Sequence, residues 1–208
     1  MSRKFLPFLI GYALWFGAAL GMILSFNKAE SFLLLNPFHS PALDTFFKYY
    51  SWLAEWPVFV IGLLPLAFRR WQWTVYYAIC EICGVIVVQS IKFRHFTLRP
   101  WNYFPQYTDI QLPLVEGVRL QTDASFPSGH TSTFFIFFTC CALLLTYKVK
   151  LSSASRALIQ ISLLLLALVG GYSRIYLSQH FLLDVWFGSL VGTAIPCVVL
   201  ASYTRRIQ

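Results

Sequence analysis

The sequence predicts an all-α, polytopic membrane protein, one membrane-embedded domain over residues 1–208 with six transmembrane helices and one interfacial helix. Three observations predict it. Of the residues, 58% are hydrophobic and only 12% charged, which is too apolar for an ordinary soluble domain. The apolar residues gather in runs long enough to cross hydrocarbon. The basic residues, which bring the net charge to +8, fall in short clusters between those runs. They form no single polar face, so membrane topology accounts for them and no nucleic-acid partner is expected.

Arg3 and Lys4 precede an uncharged run from Phe5 to Asn27 that spans a bilayer at about 1.5 Å per residue. It opens like a signal peptide. With no convincing small-residue cleavage site and further apolar segments downstream, it is read as a retained first span. Ser40-Pro41 is a helix start, with serine as N-cap and proline at the first helical position. Leu43, Phe46, Phe47 and Tyr50 then recur with helical spacing, which predicts a short interfacial helix with Asp44 and Lys48 as an i,i+4 pair. An irregular connector with aromatic anchors fits the same residues.

The second span is expected from Tyr50 to Phe68, stopping at Arg69-Arg70, and the third from Trp73 to Ile91. The third contains Glu81, an acid that should face the bundle interior. Glu81 stands about 16 Å along the helix from Lys92 and is expected to be structural. Residues 99 to 126 read as one long polar loop over a site or substrate entry. The remaining spans are Thr131–Tyr147, Ala157–Tyr172 and Phe181–Tyr203, of which the first two are short unless they extend into flanking polar residues. All five cysteines lie inside apolar runs and read as core residues, so no disulfide or zinc site is expected.

With both termini cytoplasmic, the inner side receives Arg3, Lys4, Arg69, Arg70, Lys148, Lys150, Arg156, Arg205 and Arg206, nine of the sixteen basic residues. That bias favours cytoplasmic termini. Three polar stretches then meet on the outer side. Lys92-Phe93-Arg94-His95-Phe96-Thr97-Leu98-Arg99-Pro100 closes one apolar run with three cations and a histidine. Phe126-Pro127-Ser128-Gly129-His130-Thr131 opens another, with a serine suited to an N-cap and a glycine that admits a ligand close to the backbone. Helix N-termini attract anions. In Ser173-Arg174-x5-His180-x3-Asp184 the last two residues stand at i and i+4, so a helix beginning near His180 lets the carboxylate fix the imidazole tautomer and leaves the other nitrogen free to act.

Lys92-x6-Arg99-Pro100, Pro127-Ser128-Gly129-His130 and Ser173-Arg174-x5-His180-x3-Asp184 together resemble the three-part signature of the type 2 phosphatidic acid phosphatase family, which includes vanadium haloperoxidases and glucose-6-phosphatase. The resemblance implies that His180 is the nucleophile and forms a phosphohistidine, that Asp184 orients it, and that His130 protonates the leaving group. Lys92, Arg99 and Arg174 can hold the phosphoryl charge, and Ser128 with the Gly129 N–H can complete the cradle. These cations fill the electrostatic role, so no metal or other cofactor is expected. His39 and His95 read as satisfied polar groups without a direct role, although His95, between Lys92 and Arg99, is placed to tune the site; Arg94 fits either a peripheral position or a lipid headgroup contact, and Ser173 reads as a capping or positioning residue.

The expected enzyme is a hydrolase of lipid-linked phosphate or diphosphate, acting at the outer face of a bacterial inner membrane. The resemblance implies undecaprenyl diphosphate, phosphatidylglycerophosphate, phosphatidic acid or phosphorylated lipid A as substrate classes. Two alternatives stand beside it: a phosphatase or phosphotransferase for a soluble ester, and a non-catalytic anion-binding transporter or lipid-binding protein. Transport is disfavoured because intramembrane charge is sparse beyond Glu81. The oligomeric state is not legible in the sequence.

Overall fold

The computed structural model describes residues 3–55 and 71–203. Among these, a 3-10 turn, Arg3–Phe5, leads into α1 (Leu6–Ser25), followed by α2 (Lys28–Leu35), α3 (Pro41–Trp52) and α4 (Trp71–Arg94). A short α5 (Pro100–Tyr107) precedes three long helices, α6 (Gly129–Lys148), α7 (Ser153–Tyr176) and α8 (Leu182–Tyr203). Among the described residues, five segments are long and apolar enough to cross a membrane: Arg3–Ser25, Trp71–Arg94, Gly129–Lys148, Ser153–Tyr176 and Leu182–Ser202. The class is therefore all-helical and membrane-embedded. Apart from its first residues, the expected second span, Tyr50–Phe68, lies outside the described residues. The fourth and fifth expected spans do extend into their polar flanks, to 20 and 24 residues.

Local chemistry explains where the helices begin. Asn27 opens α2 with a capping box: its Oδ1 accepts from the N–H groups of Ala29 and Glu30, and Glu30 Oε2 accepts from Asn27 N–H, all at 2.9 Å. Ser40 caps α3 through the Leu43 N–H, with Pro41 in the first turn. The expected Asp44–Lys48 pair does not form. Asp44 faces His39 and the Tyr176 hydroxyl, while Lys48 donates to the Glu116 carbonyl at 2.9 Å. Tertiary packing decides this, because Phe47 lies against Tyr172 and Tyr176 of α7 with centroids 5.4 and 4.4 Å away.

Another correction concerns residues 99–126, which are not one loop. Arg99 is extended and Pro100 sits at the start of α5, where its missing N–H costs nothing.

Helix α6 is the most buried of the five spans and contacts α4, α7 and α8. Its approach to α8 depends on two glycines a turn apart. A Cβ on Gly192 would stand 2.5 Å from the Ser132 carbonyl oxygen, and one on Gly188 would stand 2.6 Å from that of Ser128. Small residues are what let membrane helices approach this closely.

At the far end of the bundle, buried Gln160 accepts from Phe8 N–H and donates to the Lys4 carbonyl and Thr146 Oγ1, satisfying backbone groups at the start of α1. The near end gathers the C-termini of α4 and α7 and the N-termini of α6 and α8, which is where the three polar stretches lie.

Candidate active site

The turn after α7 places the histidine of the third polar stretch. The carbonyl of Arg174 accepts from the N–H groups of both Gln179 and His180, at 2.9 and 3.1 Å. Ser178 takes a left-handed φ of 56°, a conformation that costs a non-glycine residue about 1–2 kcal/mol. Its carbonyl accepts from Trp101 N–H of α5 at 3.2 Å, and its hydroxyl bonds to Asn36. This turn carries His180 back over the cations of the first polar stretch.

Asp184 lies in the first turn of α8 and is almost wholly buried. Its Oδ2 accepts from Phe181 N–H at 2.9 Å, as an acid does in a capping box, from Ser125 Oγ at 2.5 Å, and faces His180 Nδ1 at 3.3 Å. The expected His180–Asp184 pairing is therefore formed, but by a cap rather than by a shared helix face, since α8 begins at Leu182.

His180 Nε2 meets Arg99 Nη1 at 3.1 Å. A guanidinium is only ever a donor, so Nε2 must carry the lone pair and Nδ1 the proton directed at Asp184. The nitrogen expected to be free thus has Arg99 as its present partner. Burial, followed by the charges of Arg99, Arg174 and Lys92, pushes the His180 pKa well below the ordinary histidine value. That shift favours the neutral imidazole at neutral pH.

The cations are held by a residue that the sequence motifs do not contain. Asp123 bridges two of them: Oδ2 accepts from Lys92 Nζ and Oδ1 from Arg99 Nη2, both at 2.6 Å. Lys92 also donates to the Ala124 carbonyl, and Arg99 to the carbonyls of Asp123 and Gln179. Partial burial acts to raise the Asp123 pKa, but the bond to Lys92 and the Arg99 charge outweigh it and hold the carboxyl below its usual range. Asp123 is half exposed, whereas Arg99 is buried and the Lys92 side chain only 9% exposed, so this carboxylate stands on the open side of the two cations.

Arg174 is buried, bonds to Ser51 Oγ of α3 through Nη1, and has an unpartnered Nε. Ser128 Oγ caps α6, accepting from Thr131 N–H at 3.3 Å and Thr131 Oγ1 at 2.8 Å, and its N–H donates to the Asp184 carbonyl. Its Oγ is the acceptor in both contacts, so its own O–H, with the first-turn N–H groups of Gly129 and His130, is a donor available to an anion. The Ser125 and Phe126 N–H groups bond to the Thr97 carbonyl and hydroxyl, tying the first two stretches together. Ser173 bonds back to the Gly170 carbonyl at 2.6 Å, a positioning contact.

His130 Nε2 lies 3.7 Å from Glu55 Oε1, beyond α3. The His130 contact, then the charges of Arg174 and Arg119, hold the Glu55 carboxyl below its usual range. Glu81 is buried as expected, and it lines a cavity of about 190 Å³ that also reaches Gly129 and His130. His39 bonds to Asn36 and Asp44, away from the cations, while Arg94 and His95 are exposed.

Asp123, Ser125, Gln179 and Glu55 are the site residues that sequence reasoning missed. Ser125 lies two positions before Pro127, which was the one available signal.

At one end of the helical bundle, then, a histidine stands between a buried carboxylate and a guanidinium, with two further cations nearby. The chain belongs to the PAP2 superfamily, whose model matches residues 73–208, and it is an integral membrane phosphatase. Among solved structures it is similar to Aquifex aeolicus LpxE, at 28% identity and a TM-score of 0.68 over 84% of this chain and 94% of that one. It also shares the fold of the first transmembrane PAP2 type phosphatidylglycerolphosphate phosphatase from Bacillus subtilis, at 21% identity and a TM-score of 0.69 over 100% of this chain and 98% of that one. No curated protein of known function matches it.

Proposed function

We propose that the protein hydrolyses a lipid-linked phosphate or diphosphate at the outer face of a bacterial inner membrane, through a phosphohistidine on His180. The observation that carries this reading is the Asp184–His180–Arg99 line, which presents a lone pair on Nε2 beside a buried cation. The Nε2 lone pair attacks phosphorus while the bond to the leaving oxygen breaks and its electrons pass to that oxygen. His130 supplies the proton that the leaving oxygen takes. Water then attacks the phosphorus, His130 recovers a proton from it, and the N–P electrons return to Nε2 as phosphate departs.

Lys92, Arg99 and Arg174 stabilise the equatorial oxygens, and Arg99 exchanges its contact with Nε2 for one with the phosphoryl group. With both termini cytoplasmic, the basic-residue bias sets this end of the bundle outside. A lipid substrate suits a site at the border of apolar spans, and the membrane-phosphatase relatives support that class.

The test is phosphate release from a panel of lipid phosphates, with one soluble ester as control, added outside right-side-out membrane vesicles. Lipid phosphates should be hydrolysed in preference to the soluble ester, strong chelation should leave the rate unchanged, and vanadate should inhibit. Preference for the soluble ester, activity confined to inside-out vesicles, or a reversible metal requirement would each refute the corresponding part.

The depressed histidine pKa gives a pH prediction. A nucleophile with an ordinary pKa would lose activity as pH falls through about 6.5. Here the neutral form persists below that value, so kcat/KM, corrected for titration of the substrate phosphate, should hold through pH 6.5 and fall only at lower pH. An acid limb at or above 6.5 would contradict the assigned state of His180.

A further inference from the structure

The cavity beside His130 has a composition that the hydrolytic steps alone do not require. It has a volume of about 620 Å³, within the range of small-molecule sites, and its walls include Lys48, Trp52, Glu55, Arg119, His130 and Arg174. Lys92, Asp123 and His180 do not line it. It therefore opens on the side of His130, the side to which the proposed proton donation would direct the leaving group.

Charge on this side exceeds what one phosphoryl group uses. Lys48, Arg119 and Arg174 are the cations of the wall, and Glu55 is its carboxylate among the described residues. Glu55 is turned to His130, at 3.7 Å, so its charge is directed at the imidazole. Lys48 is engaged with the turn that covers the cavity: its ammonium donates to the Glu116 carbonyl, next to Gly117 at φ 72°, where any Cβ would meet Lys48 Nζ at 2.4 Å. That turn ends two residues later in Arg119, which is exposed and has no hydrogen-bond or ion-pair partner among the described residues. A tethered turn thus presents an exposed guanidinium, with no hydrogen-bond or ion-pair contact among the described residues although its charge is felt by Glu55, to a cavity whose inner wall is Arg174 and His130.

We infer that this cavity is a leaving-group subsite in which Arg119 binds a second anionic phosphate. The favoured substrate is then a lipid whose leaving group itself carries phosphate, either as the other half of a diphosphate or as a phosphodiester a few bonds away. The inference rests on His130 being the general acid, because that role orients the leaving group into the cavity. Arg119 is assigned to specificity, and Lys48 positions the turn that carries it.

The experiment compares Arg119→Gln and Arg119→Lys with the unmodified protein in detergent, on phosphatidic acid, phosphatidylglycerophosphate and an isoprenyl diphosphate. Arg119→Gln should lower kcat/KM about tenfold on the substrates with phosphate in the leaving group and less than twofold on phosphatidic acid, and Arg119→Lys should recover most of the loss. A loss on the diphosphate alone assigns the near position to the second phosphate, and a loss on the phosphodiester alone assigns the far one. Equal loss on all three substrates, or loss on none, overturns the subsite.

Calorimetric titration of pyrophosphate and phosphate separates this result from failure of the phosphatase reading. Should the unmodified protein hydrolyse none of the lipids, the hydrolytic reading fails. The subsite still stands if pyrophosphate binds about tenfold more tightly than phosphate and Arg119→Gln removes the difference. It falls if the two ligands bind alike.

Discussion

Replacing His180 with alanine should abolish turnover of every substrate, whereas replacing His130 should cost an amount that depends on the leaving group. The reason is geometric. In the tautomer that the Asp184 contact favours, His180 Nε2 carries the imidazole's available ring lone pair, and the proposed attack on phosphorus needs it whatever departs. His130 lies at the start of α6, beside Glu55, and in the proposed mechanism it protonates the departing oxygen. General acid catalysis contributes about a hundredfold to ten-thousandfold, and least when the departing oxygen is already a stable anion. His130→Ala should therefore lose most on an alkyl phosphate lipid and retain more on an aryl phosphate or a diphosphate. Rapid acid-free quenching with labelled substrate should trap phosphate on His180, in an acid-labile, base-stable form. If His180→Ala still turned over aryl phosphates while His130→Ala did not, the two roles would have to be exchanged.

The second large effect is expected at Asp184, where two substitutions separate shape from charge. Its Oδ2 organises three donors, the Phe181 N–H, the Ser125 hydroxyl and His180 Nδ1. In Asp184→Asn the amide oxygen can occupy the same place and keep all three contacts, but the charge that stabilises an imidazole bonded to phosphorus is gone. We expect kcat to fall about 10²- to 10⁴-fold with the fold intact. Asp184→Ala leaves the same donors unsatisfied in a buried site, each at a cost of about 1–3 kcal/mol, and frees the imidazole to turn. It should lose both stability and all measurable activity. The checks are single-turnover kinetics and the thermal midpoint in detergent. An Asn variant as active as the native enzyme would remove Asp184 from the mechanism.

The division between what was legible and what was not follows the range of the interactions involved. Local composition and spacing determined the helical membrane class, five of the spans and the three polar stretches, because a bilayer requires continuous apolar runs and exposes each interruption. Spacing also paired His180 with Asp184, although the pairing arises from the cap of α8. Ser40-Pro41 announced α3 through the cap and first-turn chemistry that the fold then uses.

Tertiary structure alone decided which partners those groups take. Asp44 and Lys48 share a helix face, yet each is drawn to a residue far along the chain, because the packing of Phe47 on α7 sets what lies within reach. Asp123 looked like one polar loop residue among several. It became the bridge between Lys92 and Arg99 only once residues 121–125 were folded back over the end of α4. Glu55 and Arg119, separated by 64 positions, likewise meet around one cavity with no spacing to announce them. Helix periodicity reports contacts within a few turns. Loop-to-loop ion pairs depend on the closure of the whole bundle, which here the glycines of α8 permit by letting that helix approach α6.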